Sequence, residues 1–269
     1  DEAGQRAPGT ESAGGGYSLD STNTYYCKVY AFHKDVADQV RANADAALDV
    51  DRDATMFVTQ RLLIRREKQW HDNYFVKGKW GKDLDGIAGV GVPGTSFTQW
   101  SDFTSSDPVS DIKYGRLYIK SITGFRPNTL VLSEEVFETL KLHPDIIDRY
   151  KYTNSSVITA DMLARLFEVD RLLISGGVYA TNNEGATGAY SFVAGKGALL
   201  CYSAPNPGLL TPSAGYTFAW KGLSGMGYSM AIKNFRMEHL ESDRIEGQMA
   251  FDQKIIASDL GVFFATAIA

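Results

Sequence analysis

The sequence predicts an α+β protein, and three observations support that fold class. A helical pattern of apolar residues runs from about residue 51 to residue 75. A short apolar segment, TLVLS, stands directly before a helix-like segment, EEVFETLK. From Ala198 onward, strand-like segments alternate with Pro- and Gly-rich turns. Of the 269 residues, 44% are hydrophobic and 22% are charged, which is ordinary for a chain that buries a core.

The first 50 residues contain little that could pack into a core. Residues 1–24 are rich in Gly, Ser and charge, and we expect a flexible arm, because their small apolar surface cannot offset the entropy lost on ordering. TYYCKVYAF, residues 24–32, is aromatic and β-branched enough to predict a strand. The acidic, weakly apolar segment after it predicts an extended excursion from the core.

The helix predicted for residues 51–75 is the longest element. Asp51 or Asp53 can cap its first turn. Its apolar stripe consists of Ala54, Phe57, Val58 and Leu62, continued by Trp70 and Tyr74. At about 1.5 Å per residue, such a helix is about 40 Å long. This length suits a support for other elements, and we expect the last strands of the chain to pack against it.

The segment GVGVPG has Gly89, Gly91 and Gly94 at the spacing of a dinucleotide-binding loop. That loop requires a strand before the glycines and a helix that begins at them. The preceding segment, VKGKWGKDLDGIA, is a poor candidate for a buried strand, and TSFTQW is a weak helix start. We therefore expect a surface loop that binds no nucleotide.

The middle of the chain predicts several short elements. SDPVSDIKYGRLYIKSIT predicts a helix with Asp107 near its cap and Pro108 at its first position. Residues 129–132 predict a buried strand, and Ser133 predicts the cap of a helix with two glutamates in its first turn. Pro144 begins a further helical turn. ITADMLARLFEVD predicts a short helix and RLLISGGVYA a strand.

No arrangement of residues predicts catalysis, a cofactor or a metal site. Ser133 lacks a partner histidine and the Gly-x-Ser-x-Gly motif, so it is expected to cap a helix and nothing more. The histidines have no metal-ligand spacing and are expected to be surface or capping residues. They are His33, His71, His143 and His239. We expect a protein that is not an enzyme.

Charge and hydropathy limit the partners. The formal net charge of −5 supplies no basic field for tight nucleic-acid binding, although weak or local contact is compatible with it. No apolar run approaches the roughly 20 residues of a membrane-spanning helix, so no membrane contact is expected. The isolated Cys27 and Cys201 are expected to be reduced thiols. The basic run at Arg65 and Arg66 predicts either a solvated helix face or a contact with a neighbouring subunit.

Four phrases, taken in order, resemble the major capsid proteins of tailed bacteriophages with the Hong Kong 97-type fold. They are RPNTLVLSEEVFETLKLHPDIIDRYKYT, ITADMLARLFEVDRLLISGGVYATNNEG, ALLCYSAPNPGLLTPSAGYTFAW and DRIEGQMAFDQKIIASDLGVFFATAI. The resemblance runs from about Tyr25 to the C-terminus, and it rests on the order and spacing of the phrases. It implies a Hong Kong 97-like α+β fold with a division into named parts.

Each part has a range in this sequence. Residues 1–24 resemble the N-terminal arm and residues 25–50 the extended loop. Residues 51–124 resemble the peripheral domain with its spine helix, residues 125–210 the axial domain around capsomer centres, and residues 211–269 the return strands of the peripheral domain. An arm and a loop that reach other subunits would explain elements that cannot pack within a monomer.

The implied function is a major capsid protein that self-assembles, as pentamers and hexamers, into the icosahedral shell around a phage genome. Scaffolding, portal and decoration proteins are implied partners, and the packaged double-stranded DNA would be contacted weakly. The implied location is the virion, after assembly in the host cytoplasm. Two alternatives remain. An encapsulin-like compartment is disfavoured by the Gly-rich arm, which stands in place of a cargo-binding amphipathic helix, and a monomeric α/β enzyme is disfavoured by the missing catalytic residues.

The charges of the excursion and of the long helix predict contacts between subunits. An extended loop would carry its acids away from its own helix and towards the basic residues of a neighbour. The candidate intersubunit contacts are Asp35, Asp38, Asp45, Asp49, Arg61, Arg65, Arg66 and Lys68.

Overall fold

A computed structural model describes residues 24–45, 48–150, 158–182, 187–208, 211–223 and 230–269. The arm predicted for residues 1–24 lies outside these ranges, apart from Thr24. The helices are α1 (Asp38–Asn43), α2 (Val50–Tyr74), α3 (Pro108–Thr123), α4 (Glu134–Lys141), α5 (Pro144–Tyr150) and α6 (Ala160–Leu166).

The strands form two main sheets and one hairpin. They are β1 (Lys28–Ala37), β2 (Lys82–Ile87), β3 (Ser96–Thr98), β4 (Thr129–Ser133), β5 (Arg171–Ser175), β6 (Val178–Ala180), β7 (Tyr190–Phe192), β8 (Ala198–Cys201), β9 (Gly215–Ala219), β10 (Met230–Met237), β11 (Ser242–Ile255) and β12 (Gly261–Ala265). The mixture of helices and sheets confirms the predicted α+β class.

The six-stranded sheet has the order β3-β2-β12-β8-β4-β5 and contains both parallel and antiparallel pairs. Its central strands β4, β8 and β12 are buried along their whole length. Successive side chains of a strand point to opposite faces, so the chain must cover both faces of this sheet. Phe264 packs against Trp100 and beside Gly115 of α3, and Phe263 on the other face contacts Phe75 at the end of α2.

The four-stranded sheet is antiparallel, with the order β1-β11-β10, and β9 pairs with the end of β11. The helix α2 lies on one of its faces. Two small apolar clusters join them, one of Val58, Leu62, Met249 and Phe251, the other of Val36, Ala54 and Ile245. A Cβ atom at Gly247 would lie 2.7 Å from both Leu62 Cδ1 and Val58 Cγ1, so the glycine permits the close approach of α2. The predicted packing of the last strands on the long helix is confirmed for β11.

Three predicted helices begin close to the expected residues. Asp107 caps α3 by accepting hydrogen bonds from the backbone N–H of Val109 and Ser110, as predicted. Ser133 caps α4, also as predicted. For α2 the predicted caps, Asp51 and Asp53, are wrong, because the carboxylate of Asp49 accepts the hydrogen bond from Arg52 N at 3.0 Å.

The predicted strand TYYCKVYAF is confirmed at residues 28–32, and the excursion predicted after it is wrong for residues 33–37, which continue the same strand. Residues 28–37 are β1, which pairs residue by residue with β11 of the same chain. No local feature of the chain indicates this pairing, because the paired residues are far apart, with 209 positions between Asp35 and Arg244.

The six-stranded sheet combines strands from three of the ranges predicted for the domains, and the division into domains stays a prediction. The six-stranded sheet takes β2 and β3 from the range 51–124, β4, β5 and β8 from 125–210, and β12 from 211–269. The reason is that the apolar strand β12 lies between β2 and β8 and bonds to both. The last strand of the chain therefore joins β2, from the range predicted for the peripheral domain, to β8, from the range predicted for the axial domain.

Candidate assembly surface

The GVGVPG loop has a strand before it, contrary to the prediction, but no helix after it. The strand β2 ends at Ile87, two residues before Gly89, and β3 begins at Ser96. A Cβ atom at Gly91 would lie 2.4 Å from Phe97 Cα, so this glycine lets the loop fold back onto β3. No helix directly follows the loop in the chain, so the strand–loop–helix order of a dinucleotide-binding motif is missing.

Two of the four histidines are buried. His143 is fully buried and bridges two segments, with Nε2 2.9 Å from Ser106 Oγ and Nδ1 accepting from Asp145 N at the start of α5. His71 is also buried, with Nδ1 2.9 Å from the carbonyl oxygen of Glu67, so the prediction of surface or capping histidines is wrong for it. Burial lowers the pKa of both rings, which favours the neutral form.

The other catalytic candidates have structural roles. Ser133 Oγ is buried and accepts from Val136 N at 3.4 Å. Among the described residues, no group of three or more His, Cys, Asp or Glu side chains could hold a metal ion. None of the helices in the described ranges combines the length and apolar character needed to span a bilayer.

The predicted acidic contacts lie near arginines of their own chain. Arg244 donates to both carboxylate oxygens of Asp35, at 2.7 and 2.8 Å, and Arg236 donates to Asp38 at 2.7 Å. These hydrogen bonds lower the pKa of Asp35 and Asp38 below the usual value. Asp49 caps α2, and the backbone oxygen of Asp45 accepts from Leu48 N at 2.8 Å.

A larger ion-pair network surrounds these acids. Arg41 lies 2.7 Å from both Asp51 and Asp243, and it therefore joins α1 to the first turn of α2 and to β11. Arg236 also reaches Asp243, at 3.4 Å. Sequence reasoning missed Arg41, Arg236 and Asp243, because the partners belong to distant parts of the chain and no motif links them.

The predicted basic contacts lie further along α2 and away from these acids. Arg61 lies over the ring of Phe57, 4.9 Å from its centroid, and Arg65 lies 5.5 Å from the centroid of Tyr30. Lys68 pairs with Asp72 one turn later, at 2.7 Å. Arg66 is exposed. Within one subunit the structure thus does not bring the predicted acids and bases together.

One face of the four-stranded sheet, which we call the outer sheet face, is opposite α2. Cross-strand neighbours point to the same side, so the register places Val29, His33, Phe218, Lys233 and Phe235 on it. Tyr25 stacks on Phe218 at its aromatic end, with ring centroids 4.0 Å apart. No helix of the described residues covers this face, and both Val29 and Phe235 are exposed.

The outer face of α2 is a second uncovered surface. Phe57, Met56 and Leu63 are all exposed, and Met56 keeps 59% of its surface accessible. The two surfaces combine apolar side chains with charges of both signs. Exposed apolar side chains among charges are typical of a surface that contacts another macromolecule.

Comparison with known proteins identifies one curated relative. No family model matches the chain. The major capsid protein of Burkholderia phage BcepMu is 29% identical over 187 residues, which cover 68% of this chain. The matched part is 57% of the relative's length, so this chain spans little more than half of that protein.

Solved structures share the fold at lower identity. A phage-related protein from Bordetella bronchiseptica RB50 superposes with a TM-score of 0.70 at 21% identity, over 90% of this chain and 76% of that one. The capsid of cyanophage P-SCSP1u gives a TM-score of 0.53 at 11% identity, over 93% of this chain and 80% of that one. An encapsulin shell is also among the similar structures. The chain therefore has the Hong Kong 97-type fold and is a homologue of a phage major capsid protein.

Proposed function

We propose that the protein is a major capsid protein that self-assembles, as pentamers and hexamers, into the icosahedral shell of a tailed bacteriophage. The observation that carries the proposal is the fold, which spans nearly the whole described chain and is that of an assembled phage capsid. The curated relative, a major capsid protein, supports the same conclusion. The role is structural and not enzymatic.

The uncovered surfaces are consistent with such assembly. The outer sheet face and the outer face of α2 leave apolar side chains in water, and a second copy could cover them. Obligate interfaces commonly bury some 2,000–5,000 Å² in total, which is more than a single small patch provides. A subunit with two separate uncovered faces is suited to contact more than one neighbour.

The proposed parts keep the roles that the resemblance implies. Residues 1–24 would be an arm over adjacent subunits, residues 25–50 the extended loop, and α2 the spine of a peripheral domain. Scaffolding, portal and decoration proteins would be further partners. The packaged double-stranded DNA would be contacted weakly, since the net charge of −5 gives no general attraction for phosphates. The protein would be located in the virion, after assembly in the host cytoplasm.

Electron microscopy and light scattering of the purified protein test the proposal. We expect closed shells of uniform size, or capsomers that close into shells when a scaffolding protein is added. A compact monomer under all conditions of salt and concentration, with or without scaffolding, would contradict it. Shells that carry a packaged enzyme instead of DNA would support the encapsulin alternative.

A matched pair of substitutions tests the outer sheet face as an assembly surface. Val29 lies on this face, whereas the more exposed Val90 lies on the GVGVPG loop. Val29→Lys should block assembly, because it places a charge in a contact that loses its water, and Val90→Lys should leave assembly intact. Circular dichroism confirms that each subunit is folded. If Val90→Lys blocks assembly and Val29→Lys does not, the assembly surface lies elsewhere.

We also propose that the basic residues of α2 contact acids of a neighbouring subunit. The support is the exposure of Arg65 and Arg66 on α2. The acids that remain candidates from the same prediction are Asp45 and Asp49, since Asp35 and Asp38 already bond to arginines.

Reversal of charge tests this contact. Replacing Arg65 and Arg66 by Glu should slow assembly, because the new acids would repel the acids of the neighbour. Added salt should speed assembly of this variant, since exposed charges are screened over about 10 Å at 0.1 M salt and over less at higher salt. The matched control reverses the exposed Lys113 and Lys120 of α3, which gives the same change in net charge. Equal assembly rates for the two double variants would show that the basic run is only a solvated helix face.

A further inference from the structure

A pocket of about 250 Å³, which we call the basic pocket, lies between α3, α5 and α6. Three cationic side chains line it, Lys113 and Arg116 from α3 and Arg149 from the last turn of α5. The one acid among the described lining residues is Glu168, just after α6. The wall of this pocket is therefore positively charged, although the whole chain has a formal net charge of −5.

Arg116 is held in place at the wall of the basic pocket. Its side chain keeps only 15% of its surface accessible, and its Nη1 lies 2.8 Å from Glu168 Oε2. The same nitrogen donates to the backbone oxygen of Phe167 at 3.1 Å. No described residue accepts a hydrogen bond from Nε or Nη2 of Arg116, and neither atom is fully buried. A fixed guanidinium group thus keeps donors that a ligand can reach.

The backbone of Glu168 is strained. Its φ of 53° lies in the left-handed region, which residues other than glycine seldom adopt. It directly follows Phe167, the C-cap of α6, at a position where helices commonly have glycine. In this conformation the Glu168 carboxylate lies between Arg116 and Arg126 and pairs with both. Strain of this kind is concentrated at functional sites, and here it accompanies the fixed guanidinium group of the pocket.

The other two cations of the basic pocket are available to a ligand. Lys113 and Arg149 are exposed, and neither forms an ion pair or a side-chain hydrogen bond within the ranges that the structure describes. The carboxylate of Asp107 at the start of α3 already accepts from Ser110 Oγ and from two backbone N–H groups. The positive end of the α3 macrodipole is at this end of the helix, and it adds to the attraction for an anion.

We propose that the basic pocket binds a phosphate group. Guanidinium groups donate two parallel hydrogen bonds to phosphate oxygens, and an ammonium group adds a compact charge. A phosphate group has more oxygens than a carboxylate and directs them to the corners of a tetrahedron, which suits donors that come from two different helices. Free inorganic phosphate and the backbone of DNA both present such a group.

Phosphate binding is a property of the folded subunit, so it does not depend on whether the protein forms a shell. Only the DNA source rests on the proposed function, where it would supply the weak contact with the packaged genome. A failure to bind phosphate and a failure to form shells are therefore separate results.

Isothermal titration calorimetry of the wild-type subunit with inorganic phosphate and with acetate, at low salt, tests the proposal. Phosphate should bind once per chain with a dissociation constant of about 1 mM, as expected for so small a ligand at a partly exposed site. Acetate should bind at least about tenfold more weakly, because it has fewer oxygens and one charge. Added sodium chloride should weaken the binding of phosphate, since it screens the cations.

A matched pair of variants locates the site. Arg149→Gln should weaken phosphate binding about five- to tenfold, because it removes one charged donor. The control, Arg165→Gln, removes the same charge from an exposed position of α6 that does not line the pocket. It should change the affinity less than about twofold, as expected for a distant, screened charge.

Competition with a short DNA duplex separates the two sources. If the duplex displaces phosphate from the wild-type subunit, and does so less well from Arg149→Gln, the pocket accepts the DNA backbone. If phosphate binds and the duplex does not displace it, the pocket is a site for free phosphate. Both outcomes support a phosphate site.

Three results would overturn the proposal. The first is the absence of phosphate binding by the wild-type subunit up to about 10 mM. The second is equal affinity for acetate and phosphate, which would indicate a carboxylate of another protein as the occupant. The third is an equal loss of affinity in Arg165→Gln and Arg149→Gln, which would show only a general effect of charge. The first two need no substitution.

Discussion

The two sheets of the molecule differ in how much of their surface the chain itself covers. The six-stranded sheet is covered on both faces, and its three central strands are buried along their whole length. The four-stranded sheet is covered by α2 on one face only, through two small apolar clusters. Its edge strand β1 is exposed at most positions.

The larger sheet is packed on both faces by its own chain, whereas one face of the smaller sheet has no helix of the described residues on it and is open to another molecule. A sheet buried on both faces gains most of its hydrophobic stabilisation within the subunit. A sheet with one open face gains less, and its stability rests more on ion pairs such as those of Arg41 and on contacts with other molecules. In a protein proposed to form a shell, the open sheet is the part expected to change most on assembly.

The largest expected effect comes from truncating a buried leucine in the core beside each sheet. Leu132→Ala in β4 should cost about 4–5 kcal/mol, because Leu132 is fully enclosed and the cavity cannot collapse. The matched change Leu62→Ala in α2 should cost about 2–3 kcal/mol, because that cluster is small and lies near solvent. Urea unfolding of the unassembled subunit measures both. Equal losses of unfolding free energy would mean that the core beside the smaller sheet contributes as much stability as the core of the larger sheet.

Sequence patterns predicted those parts of the larger sheet whose signals are local. The strand TLVLS, its cap Ser133 and the helix α4 follow directly from a buried apolar run and a capping residue. The start of α3 was equally clear, because Asp107 and Pro108 form a cap and a first-turn proline. In contrast, β2 was missed, since KDLDGI is polar and becomes a strand only through pairing with β12 and β3.

The candidate assembly residues were less predictable. Of the ion pairs at the corner of the smaller sheet, the sequence identified Asp35 and Asp38 but not Arg236 or Arg244, which lie about 200 residues away. Which face of β1 stays open depends on its register with β11, and strand register is set by tertiary pairing. Nothing in the local sequence of β1 reports that register.

A second comparison uses the glycines at the closest contacts of each sheet. A Cβ atom at Gly86 of β2 would lie 2.1 Å from the backbone oxygen of Thr266, which cannot move without disturbing the sheet. At Gly247 the nearest atoms belong to the side chains of Leu62 and Val58, which can shift. Gly86→Ala should therefore cost about 3 kcal/mol and Gly247→Ala about 1 kcal/mol. Thermal unfolding of the two variants measures both losses of stability. A larger loss for Gly247→Ala than for Gly86→Ala would contradict this account of the two sheets.

A third effect depends on pH and concerns the larger core. Burial, with a smaller contribution from the charge of Asp107, raises the pKa of Asp111 to about 6, although Trp100 Nε1 donates to its carboxylate at 3.0 Å. Below about pH 3 the carboxyl group is neutral in both states, because its pKa in the unfolded chain is 3.8. As the pH rises to about 6, the unfolded chain ionises first and stability is lost.

Asp111→Asn should remove that loss. The variant should be more stable than the wild type by about 1–2 kcal/mol at pH 8, a figure reduced for the partial exposure of the side chain, and equal to it near about pH 3. Asp107→Asn is the control, because the Asp107 carboxylate accepts three hydrogen bonds at the start of α3 and its pKa is lowered. It should give no stabilisation at pH 8. A constant difference between Asp111→Asn and the wild type across this pH range would refute the assignment.

The smallest expected effect concerns the exposed ion pair of Asp35 and Arg244 in the smaller sheet. The bidentate hydrogen bond from Arg244 lowers the pKa of Asp35, so the stability that it contributes is present above about pH 4 and is lost as the pH falls through the lowered value. Carboxyl ¹³C NMR of the unassembled subunit should show Asp35 titrating below its usual range. In Arg244→Gln the pKa should return towards 3.8, with a smaller change in the urea midpoint than Asp111→Asn produces, because exposed pairs are screened by water and salt. If Asp35 has its usual pKa in the free subunit and a lowered one only after assembly, its partner belongs to a neighbour, and the corner of the open sheet is completed by another copy of the chain.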